Sequence, residues 1–360
     1  MNKSIIIATG GTGGHVFPAL SLAKFFQKNK LNVDLISDNR GLKFIKDFEL
    51  KKVNVISSST IFVKNPFLLI KNIFVILFAI IKSIACLKQK KPNLVFGVGG
   101  YSSFPVCLAA KILKIPFVIY ENNLLLGKAN KYLLPFASKI FTSYGEVEGI
   151  KPKFKDKIFV CGNIIREEIN NYQHKFNDNK ELKLLVLGGS QAAGTFGEKL
   201  PKIFVNLKEN SVNIKIFQQC LKNQSENLKQ IYAQSKIENE IFNFESDILR
   251  YYKKVDLVIS RAGSSVSAEL ISCNIPFVSI PLPKSADGHQ LKNAKFFEKK
   301  GLCFFLEERD INNDLFSLIK SIYMDKSLLL NCIKKQKIFT LKNENNKILE
   351  NILNIIHEKN

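Results

Sequence analysis

A histidine, His15, ends a loop of four glycines in the segment ATGGTGGHVFPAL. The apolar run Ile5–Ala8 precedes the loop, and Val16 and Leu20 recur after it at helical spacing, so the segment is predicted to form a strand, a glycine loop and a helix. Glycines let the backbone approach a ligand closely, and a helix start presents N–H groups to an anion. Because an imidazole titrates near neutrality, His15 is a candidate general base, with a capping or core histidine as the alternative.

A second segment, VDLVISRAGSSVSAEL, places serines after a predicted buried strand. The strand ends at Ser260, and a helix is predicted to begin near Ser264. Its hydroxyls and N–H groups could bind a diphosphate, and the Glu269 carboxylate could accept both hydroxyls of a ribose. The alternative is a serine-capped helix with an exposed glutamate. Downstream, PLPKSADGHQLKNA offers polar groups for sugar hydroxyls: His289, Gln290 and Asn293.

The glycine loops do not match the two common nucleotide fingerprints. Segment 189–195 reads G-x-x-x-x-G-T and lacks the lysine of a P-loop. Val16 stands where a dinucleotide fingerprint has its third glycine, which speaks against a dehydrogenase. Asp38, however, ends the second strand at a distance suited to a carboxylate that binds ribose, so a dehydrogenase stays an alternative. There is no D-x-D triplet. We therefore predict no metal and no cofactor, and N–H groups would stabilise a departing diphosphate.

Strands and helices alternate along both halves of the chain, which predicts parallel sheets covered on both faces. The fold class is therefore predicted to be α/β, with two doubly wound, Rossmann-like domains and an active site in the cleft between them. We predict an N-terminal domain over 1–164, a C-terminal domain over 165–339, and a helix at about 340–357 that packs back on the first. The strands are predicted at Ile5–Ala8, Val33–Ser37, Leu94–Gly97, Phe117–Tyr120, Ile140–Thr142, Ile158–Cys161, Ile214–Gln218, Leu257–Ser260, Phe277–Ile280 and Cys303–Leu306, and a further strand opens the segment Leu182–Gly194 and runs into its glycine turn.

The composition is that of a globular protein with a strongly basic balance. Hydrophobic residues make up 46% of the chain, charged residues 23%, and the formal net charge is +22. Such a charge favours an anionic partner, which could be nucleic acid, an anionic membrane or a phosphorylated substrate. Neither zinc-finger spacing nor an aromatic RNA-binding strand is present, so we predict no nucleic-acid partner. The seven cysteines are scattered without a C-x-x-C pair, which favours a reducing, cytosolic compartment.

One apolar stretch, NPFLLIKNIFVILFAIIKSIACLKQKK, could contact a membrane. Its longest unbroken apolar run, Ile73–Ile81, is nine residues, which is shorter than the roughly 20 needed to span a bilayer. A helix edged by lysines could instead lie in an anionic interface. The alternative is a helix buried in the core of the first domain. The flanking lysines are Lys71, Lys82, Lys88, Lys90 and Lys91.

Six segments together resemble the MurG glycosyltransferases of peptidoglycan synthesis, in order and spacing from about Ile5 to Gly301. They are GGTGGHVFPAL, GVGGYSSFPVCLAA, YENNLLLGKANKYL, CGNIIREEI, LGGSQAAG and RAGSSVSAE. The resemblance implies a GT-B fold and metal-independent, inverting transfer of N-acetylglucosamine from UDP-GlcNAc to the 4-hydroxyl of MurNAc in lipid I, giving lipid II. It also implies a peripheral location on an anionic surface, the cytoplasmic face of the bacterial inner membrane, with the Ile73 region facing lipid.

The resemblance also implies roles for individual residues. His15 would be the base for the acceptor hydroxyl, and Glu121 would support the cleft. The donor-binding residues would be Thr12, Gly13, Gly14, Asn123, Arg166, Ser190, Glu245 through its backbone, Ser264, Ser265, Val266, Ser267, Ala268, Glu269 and Gln290.

The chain departs from the family pattern at four positions, which are Tyr120, Asn122, Ala192 and Val266. Val266 replaces a threonine whose hydroxyl would face the diphosphate, and Ser265 or Ser267 could substitute for it. An epimerase of UDP-GlcNAc, which has the same architecture, is the alternative function. It would consume the donor without an acceptor.

Overall fold

The computed structural model describes residues 3–45, 53–60, 65–176, 180–339 and 344–358, and only the backbone of residues 190–193 and 286. The chain forms two compact units. Unit 1 is Met1–Arg166 together with Lys342–Asn360, and unit 2 is Glu167–Leu341.

Unit 1 is built on a parallel sheet covered by helices. Its described strands are β1 (Ser4–Ala8), β2 (Asn32–Ser37), β3 (Val53–Val55), β4 (Leu94–Gly97), β5 (Phe117–Glu121), β6 (Ile140–Thr142) and β7 (Ile158–Val160). Its described helices are α1 (Gly13–Lys28), α2 (Asn39–Leu42), α3 (Pro66–Lys90), α4 (Gly100–Ile112), α5 (Lys128–Leu133), a 3-10 helix (Pro152–Lys157) and, from the end of the chain, α14 (Asn345–His357).

The strands of unit 1 are ordered β3-β2-β1-β4-β5-β6-β7, and all their pairings are parallel. The strand order reverses between β1 and β4. In doubly wound sheets, ligands bind beyond the carboxyl ends of the strands at such a reversal. The loops that follow β1 and β4 therefore meet at the expected binding edge of this unit.

Unit 2 repeats the plan with a sheet ordered β10-β9-β8-β11-β12-β13, which reverses between β8 and β11. Its described strands are β8 (Leu182–Leu187), β9 (Ile214–Gln219), β10 (Glu238–Phe242), β11 (Leu257–Arg261), β12 (Phe277–Ile280) and β13 (Phe304–Phe305). Its described helices are α6 (Glu167–Asn170), α7 (Gly189–Glu209), α8 (Ser225–Gln234), α9 (Leu249–Tyr252), α10 (Ser264–Ser272), α11 (His289–Lys299), α12 (Ile311–Met324) and α13 (Ser327–Ile338). Short 3-10 helices lie at Lys222–Gln224, Ala286–Gly288 and Glu308–Asp310.

The predicted α/β class with two Rossmann-like parallel sheets is confirmed. The central strands were predictable because they are buried on both faces and read as continuous apolar runs. In β1, for example, the side chains of Ile5, Ile6 and Ile7 are wholly buried. The prediction missed β3 and β10, each of which forms one edge of its sheet, although it found β7 and β13 at the opposite edges. Edge strands carry polar, half-exposed residues, and ENEIF in β10 shows no apolar run.

The last helix, α14, belongs to the core of unit 1. Its residues Ile348, Ile352, Ile355 and Ile356 are buried in the same cluster as residues of β1 and α1. The helix predicted at about 340–357 begins at Asn345 in the structure, after α13 has ended at Ile338. Residues 340–343 of the predicted helix lie outside the described residues.

Helix α3 exposes an apolar face. Its buried residues are Asn72, Ala79, Ser83 and Leu87, and it packs against α4. Its 25 residues are long and apolar enough for a membrane crossing by length and composition alone, which the nine-residue run did not indicate. The alternative of a helix buried in the core does not hold, because large apolar side chains are exposed: Phe67, Leu68, Ile70, Ile73, Phe74, Leu77, Phe78 and Ile81.

Candidate active site

His15 lies in the first turn of α1, at the reversal point of the unit 1 sheet. Its Nδ1 atom is 3.0 Å from the backbone carbonyl oxygen of Val98, which directly follows β4. A carbonyl oxygen can only accept, so Nδ1 is the protonated nitrogen of the neutral ring, and the basic lone pair lies on Nε2. The fold therefore sets both the position and the tautomer that a general base requires.

Two glycines of the GVGG segment form the surface on which the His15 ring lies. Gly99 and Gly100 have φ angles of +89° and +75°, where L side chains are strained. A Cβ on Gly99 would lie 3.2 Å from Cε1 of His15, and a Cβ on Gly100 would lie 3.3 Å from Cδ2. The segment was noted only as part of the family resemblance, and these two residues were not predicted as site residues. Two consecutive glycines after a buried strand are the signal that could have identified them.

Asp38 holds the glycine loop together. Its Oδ1 accepts from the backbone N–H groups of Gly11 and Gly41, each at 2.8 Å, and its Oδ2 accepts from Ser102 Oγ and Arg40 Nε, each at 2.9 Å. Burial raises the pKa of the Asp38 carboxyl, but these hydrogen bonds outweigh it and the net pKa is lowered. Both oxygens are thus engaged within the fold, which removes the ribose-binding role on which the dehydrogenase alternative depended.

Glu121, at the end of β5, organises the loop that leads to α5. Its Oε1 accepts from the backbone and side-chain N–H groups of Asn123, at 3.1 and 3.0 Å. Its Oε2 accepts from the Gly127 N–H at 2.8 Å and from Asn130 Nδ2 at 3.0 Å. The carboxylate is buried. This geometry suits a supporting residue and not an acceptor of the substrate's proton.

The remaining predicted residues of unit 1 border the same loop. Thr12 is the exposed N-cap of α1, and its side chain makes no capping bond. Gly13 has no room for a side chain, because a Cβ would lie 2.7 Å from the Phe17 ring. The Arg166 guanidinium carbon lies 5.0 Å from the centre of that same ring. Phe17 therefore connects Arg166 to the glycine loop, and the Asn122 amide donates to the Gly14 carbonyl at 3.2 Å.

In unit 2, two helices begin beyond the carboxyl ends of the neighbouring strands β8 and β11, between which the sheet order reverses. Helix α7 begins at Gly189, with φ of +66°, directly after β8. Helix α10 begins at Ser264, and its N-cap Gly263 has no side chain to cap it. Adjacent helix N-termini concentrate N–H groups and positive dipole ends, which suits a diphosphate. The side chain of Ser190 lies outside the described residues.

The first turns of α10 divide into an exposed and a buried face. Ser265 and Val266 are partly exposed, whereas Ser264, Ser267 and Ala268 are buried. Glu269 is also buried, and its Oε2 accepts from the Tyr252 hydroxyl at 3.2 Å. This bond orients the carboxylate that was predicted to bind ribose, and Tyr252 is a residue that the sequence did not indicate.

Two further predicted residues hold loops of unit 2 in place. The Glu245 carboxylate accepts from the Asp247 N–H at 2.9 Å and from Arg250 Nη1 at 3.0 Å, which leaves the backbone of Glu245 as the group for a ligand. Gln290 Oε1 accepts from the Leu282 N–H at 2.9 Å. With that oxygen committed, the Gln290 amide NH2 is the group that could donate to a sugar hydroxyl.

Arg261, in the RAG segment, has a structural role. It is buried, pairs with Glu308, donates to the Pro281 carbonyl at 3.3 Å, and lies 4.3 Å over the Phe196 ring. Burial lowers the pKa of Arg261, and the Glu308 carboxylate offsets part of that effect. Arg261 therefore fixes the end of β11, from which α10 starts, and is not aimed at a diphosphate.

Comparison with known proteins identifies both halves of the chain. Residues 5–142 match the glycosyltransferase family 28 N-terminal domain, and residues 183–351 match the glycosyltransferase family 28 C-terminal domain. A relative from Pelagibacter ubique is 36% identical, with 99% of this chain and 100% of the relative covered. The chain belongs to glycosyltransferase family 28. Within this family, that relative is named UDP-N-acetylglucosamine--N-acetylmuramyl-(pentapeptide) pyrophosphoryl-undecaprenol N-acetylglucosamine transferase.

Other members of family 28 agree with this assignment. A relative from Francisella tularensis with the same name is 34% identical, and 99% of each chain is covered. The crystal structure of Acinetobacter baumannii MurG is 27% identical and superposes with a TM-score of 0.75, covering 98% of this chain and 99% of that one. The resemblance to MurG glycosyltransferases that the sequence motifs indicated is therefore confirmed. The C-terminal family match ends inside α14, which packs in unit 1.

Proposed function

We propose that this chain transfers N-acetylglucosamine from UDP-GlcNAc to the 4-hydroxyl of MurNAc in lipid I, giving lipid II and UDP. The full-length relatives at 34–36% identity carry a transferase name for this reaction. They do not favour the epimerase alternative. One observation carries the proposal, which is the hydrogen bond between His15 Nδ1 and the Val98 carbonyl. This bond orients the proposed base and leaves its Nε2 lone pair for the acceptor proton.

In the proposed mechanism, His15 Nε2 removes the proton of the acceptor hydroxyl as its oxygen attacks the anomeric carbon. The bond from the acceptor oxygen to that carbon forms while the bond from the carbon to the UDP phosphate oxygen breaks. The proton stays on His15 as imidazolium, and UDP leaves with the electron pair. A single displacement of this kind inverts the anomeric configuration. Positioned general bases contribute about 100-fold or more to such steps.

The departing UDP would be stabilised by the two helix starts of unit 2. The first-turn N–H groups of α7 and α10 would face the diphosphate, with Ser190, Ser264 and Ser265 as hydroxyl donors. Support comes from the position of both helices at the sheet reversal, where nucleotides bind in doubly wound folds. The remaining first turns of α10, with Val266, Ser267 and Ala268, would form the rest of this surface.

Other residues would hold the ends of the donor. The Glu269 carboxylate, oriented by Tyr252, would accept from the ribose hydroxyls, and the Glu245 backbone would bind the base. Asn123 and Gln290 would contact the sugar. Thr12, Gly13, Gly14 and Arg166 would contact the donor from unit 1, as residues packed around Phe17 and the glycine loop.

The exposed face of α3 would rest on an anionic membrane, where the lipid acceptor is found. Phe67 has 82% of its surface exposed, and Phe74 and Phe78 are also exposed, so this face offers apolar area to a bilayer interface. Lysines border it, although Lys90 is held by Asp34 at 3.0 Å. These observations support peripheral contact with an anionic membrane, which for the proposed reaction would be the cytoplasmic face of the bacterial inner membrane.

The test of the function is UDP release from UDP-GlcNAc, measured in EDTA with and without a short-chain lipid I analogue. We expect release only when the analogue is present, with a disaccharide product. Release without the analogue would indicate hydrolysis or epimerisation and would overturn the proposal. Arrest by EDTA would overturn the metal-independent mechanism.

A further inference from the structure

A cavity of about 370 Å³ lies in unit 2, away from the edge where the nucleotide would bind. Lys183 and Lys215 line it, and they are register partners near the amino ends of β8 and β9. Asp256, just before β11, also lines it. The binding edge is at the carboxyl ends of these strands. Leu187 lies four residue steps after Lys183 along β8, which is roughly 13 Å at the rise of a strand.

The lining of this cavity is strongly basic. Five lysines contribute to it, which are Lys175, Lys183, Lys215, Lys253 and Lys254. Two acidic residues also line it, and both are engaged within the protein. Asp256 accepts from the Lys183 N–H at 2.8 Å, and Glu240 accepts from the Tyr251 hydroxyl at 2.7 Å and from Arg250 at 2.6 Å.

Lysine side chains in this lining have few carboxylate partners. Lys215 pairs with Glu238. Among the described residues, the other four lysines of the lining make no ion pair. Ammonium groups gathered around one cavity repel one another unless an anion lies between them. The cavity therefore has the charge of an anion-binding site.

A buried histidine gives an independent indication of a ligand. His174 lines the cavity and is 9% exposed, and neither of its ring nitrogens makes a well-aligned hydrogen bond among the described residues, although the Tyr252 carbonyl is close enough to interact with one of them. One carbonyl can meet only one ring nitrogen, and burying the other unpaired is costly, so a polar group of a ligand is expected to meet it. Burial lowers the pKa of His174, and the nearby Tyr252 carbonyl offsets part of this, which leaves the ring neutral at pH 7.

We propose that this cavity is a second binding site, for a small phosphate-bearing anion held by Lys183, Lys254 and His174. The volume is at the lower end of the range for small-molecule sites, about 300 to 1,000 Å³, which fits one or two phosphate groups on a small substituent. The lysines would donate charge-assisted hydrogen bonds, and His174 would supply one N–H when neutral and two when protonated. The site is separate from the proposed transfer reaction.

The experiment is calorimetric titration of the full chain with inorganic pyrophosphate at fixed ionic strength, with UDP present at saturation to occupy the donor site. Lys183→Gln combined with Lys254→Gln should weaken binding by about tenfold or more, since each lysine supplies a charge-assisted contact. The control is Lys202→Gln combined with Lys334→Gln, two exposed positions of the same unit outside the cavity. We expect the control to change the affinity less than about twofold. Equal losses in both variants, or no binding to the native chain, would overturn the proposal.

A second titration tests His174 with sulfate, whose charge is constant between about pH 5.5 and 7.5. Affinity should rise as pH falls, because the protonated ring attracts the anion, and His174→Asn should remove most of this rise. The other charged groups that line the cavity are the five lysines, Glu240 and Asp256. The charge of Lys326 lowers the pKa of Asp256, and the charge of Glu181 raises it. Burial raises the pKa of Asp256, so its protonation could add to the slope in both proteins. If sulfate affinity depends on pH equally in the native chain and in His174→Asn, His174 does not bind the anion.

Discussion

The Nδ1 atom of His15 lies 3.0 Å from the Val98 carbonyl oxygen, so a backbone group of one strand-to-helix loop determines the tautomer of a side chain in the helix turn that follows the neighbouring loop. The two loops follow β1 and β4, between which the sheet reverses. The same loop then supplies Gly99 and Gly100 beneath the ring. The loops at one reversal of a doubly wound sheet thus orient the imidazole that we propose as the base.

Replacing Gly99 by alanine should displace the His15 ring. The new Cβ would lie 3.2 Å from Cε1 at a φ of +89°, so the backbone or the ring must shift. A displacement of about 1 Å at a reacting group can cost about 100-fold in rate, and we expect kcat to fall at least about tenfold with little change in UDP affinity. Steady-state kinetics and calorimetry of the Gly99→Ala variant measure the two quantities.

Gly145→Ala is the matched control for that variant, because a Cβ there would meet no atom within 4 Å and its φ is not in the left-handed region. It should retain kcat within about twofold. A Gly99→Ala enzyme as active as this control would show that the ring does not depend on the glycine surface.

Asp38→Asn should destabilise the chain by about 2 kcal/mol at pH 7, since it removes the charge from four hydrogen bonds. The pKa of the Asp38 carboxyl is lower in the folded protein than in the unfolded chain, where it is about 3.9. The carboxylate therefore stabilises the fold fully above the unfolded pKa, and this stabilisation is lost as the pH falls through the folded pKa. Urea unfolding at several pH values should show the difference between variant and native chain shrinking below about pH 4. If the difference in unfolding free energy between Asp38→Asn and the native chain does not change with pH, the Asp38 charge does not stabilise the fold.

Glu269→Ala should weaken UDP binding by about tenfold, because a carboxylate that accepts from two hydroxyls is lost. Tyr252→Phe should give a smaller loss, as it only releases the orientation of that carboxylate. UDP titration by calorimetry measures both, with the exposed Glu226→Ala as the control in the same unit. Unchanged affinity in Glu269→Ala would refute the ribose contact.

Replacing Phe74 and Phe78 of α3 by serine should reduce binding to vesicles that contain anionic lipid, because each exposed ring loses apolar area that an interface would cover. Vesicle co-sedimentation at low and high salt measures the change. Activity on a water-soluble acceptor should remain unaffected, since both rings point away from the core of unit 1. Equal vesicle binding by variant and native chain would place the membrane contact elsewhere.

The sequence indicates the interior of each sheet and the loops at its binding edge, because buried parallel strands and glycine loops leave clear patterns. It does not indicate β3 and β10, whose polar residues lie at sheet edges. Asp38 was misjudged for a related reason. Its position after β2 fits a ribose carboxylate, but only the fold shows that Gly11, Gly41 and Ser102 occupy its oxygens.

Contacts between distant segments explain the remaining gaps. Tyr252 meets Glu269 from another helix, and Phe17 joins Gly13 to Arg166. No local pattern encodes such pairs, because each depends on how separate elements pack. The roles of the individual donor-binding residues therefore stay predictions that need binding measurements.

The measurement that tests the central claim most directly is the single-turnover rate of His15→Ala with saturating UDP-GlcNAc and a lipid I analogue, beside UDP affinity measured by calorimetry. His357→Ala serves as control, because His357 lies on α14 and contacts Lys3. If His15 Nε2 takes the acceptor proton, the rate falls about 100-fold or more while UDP affinity is retained. A near-normal rate would contradict the account and assign the base to another group.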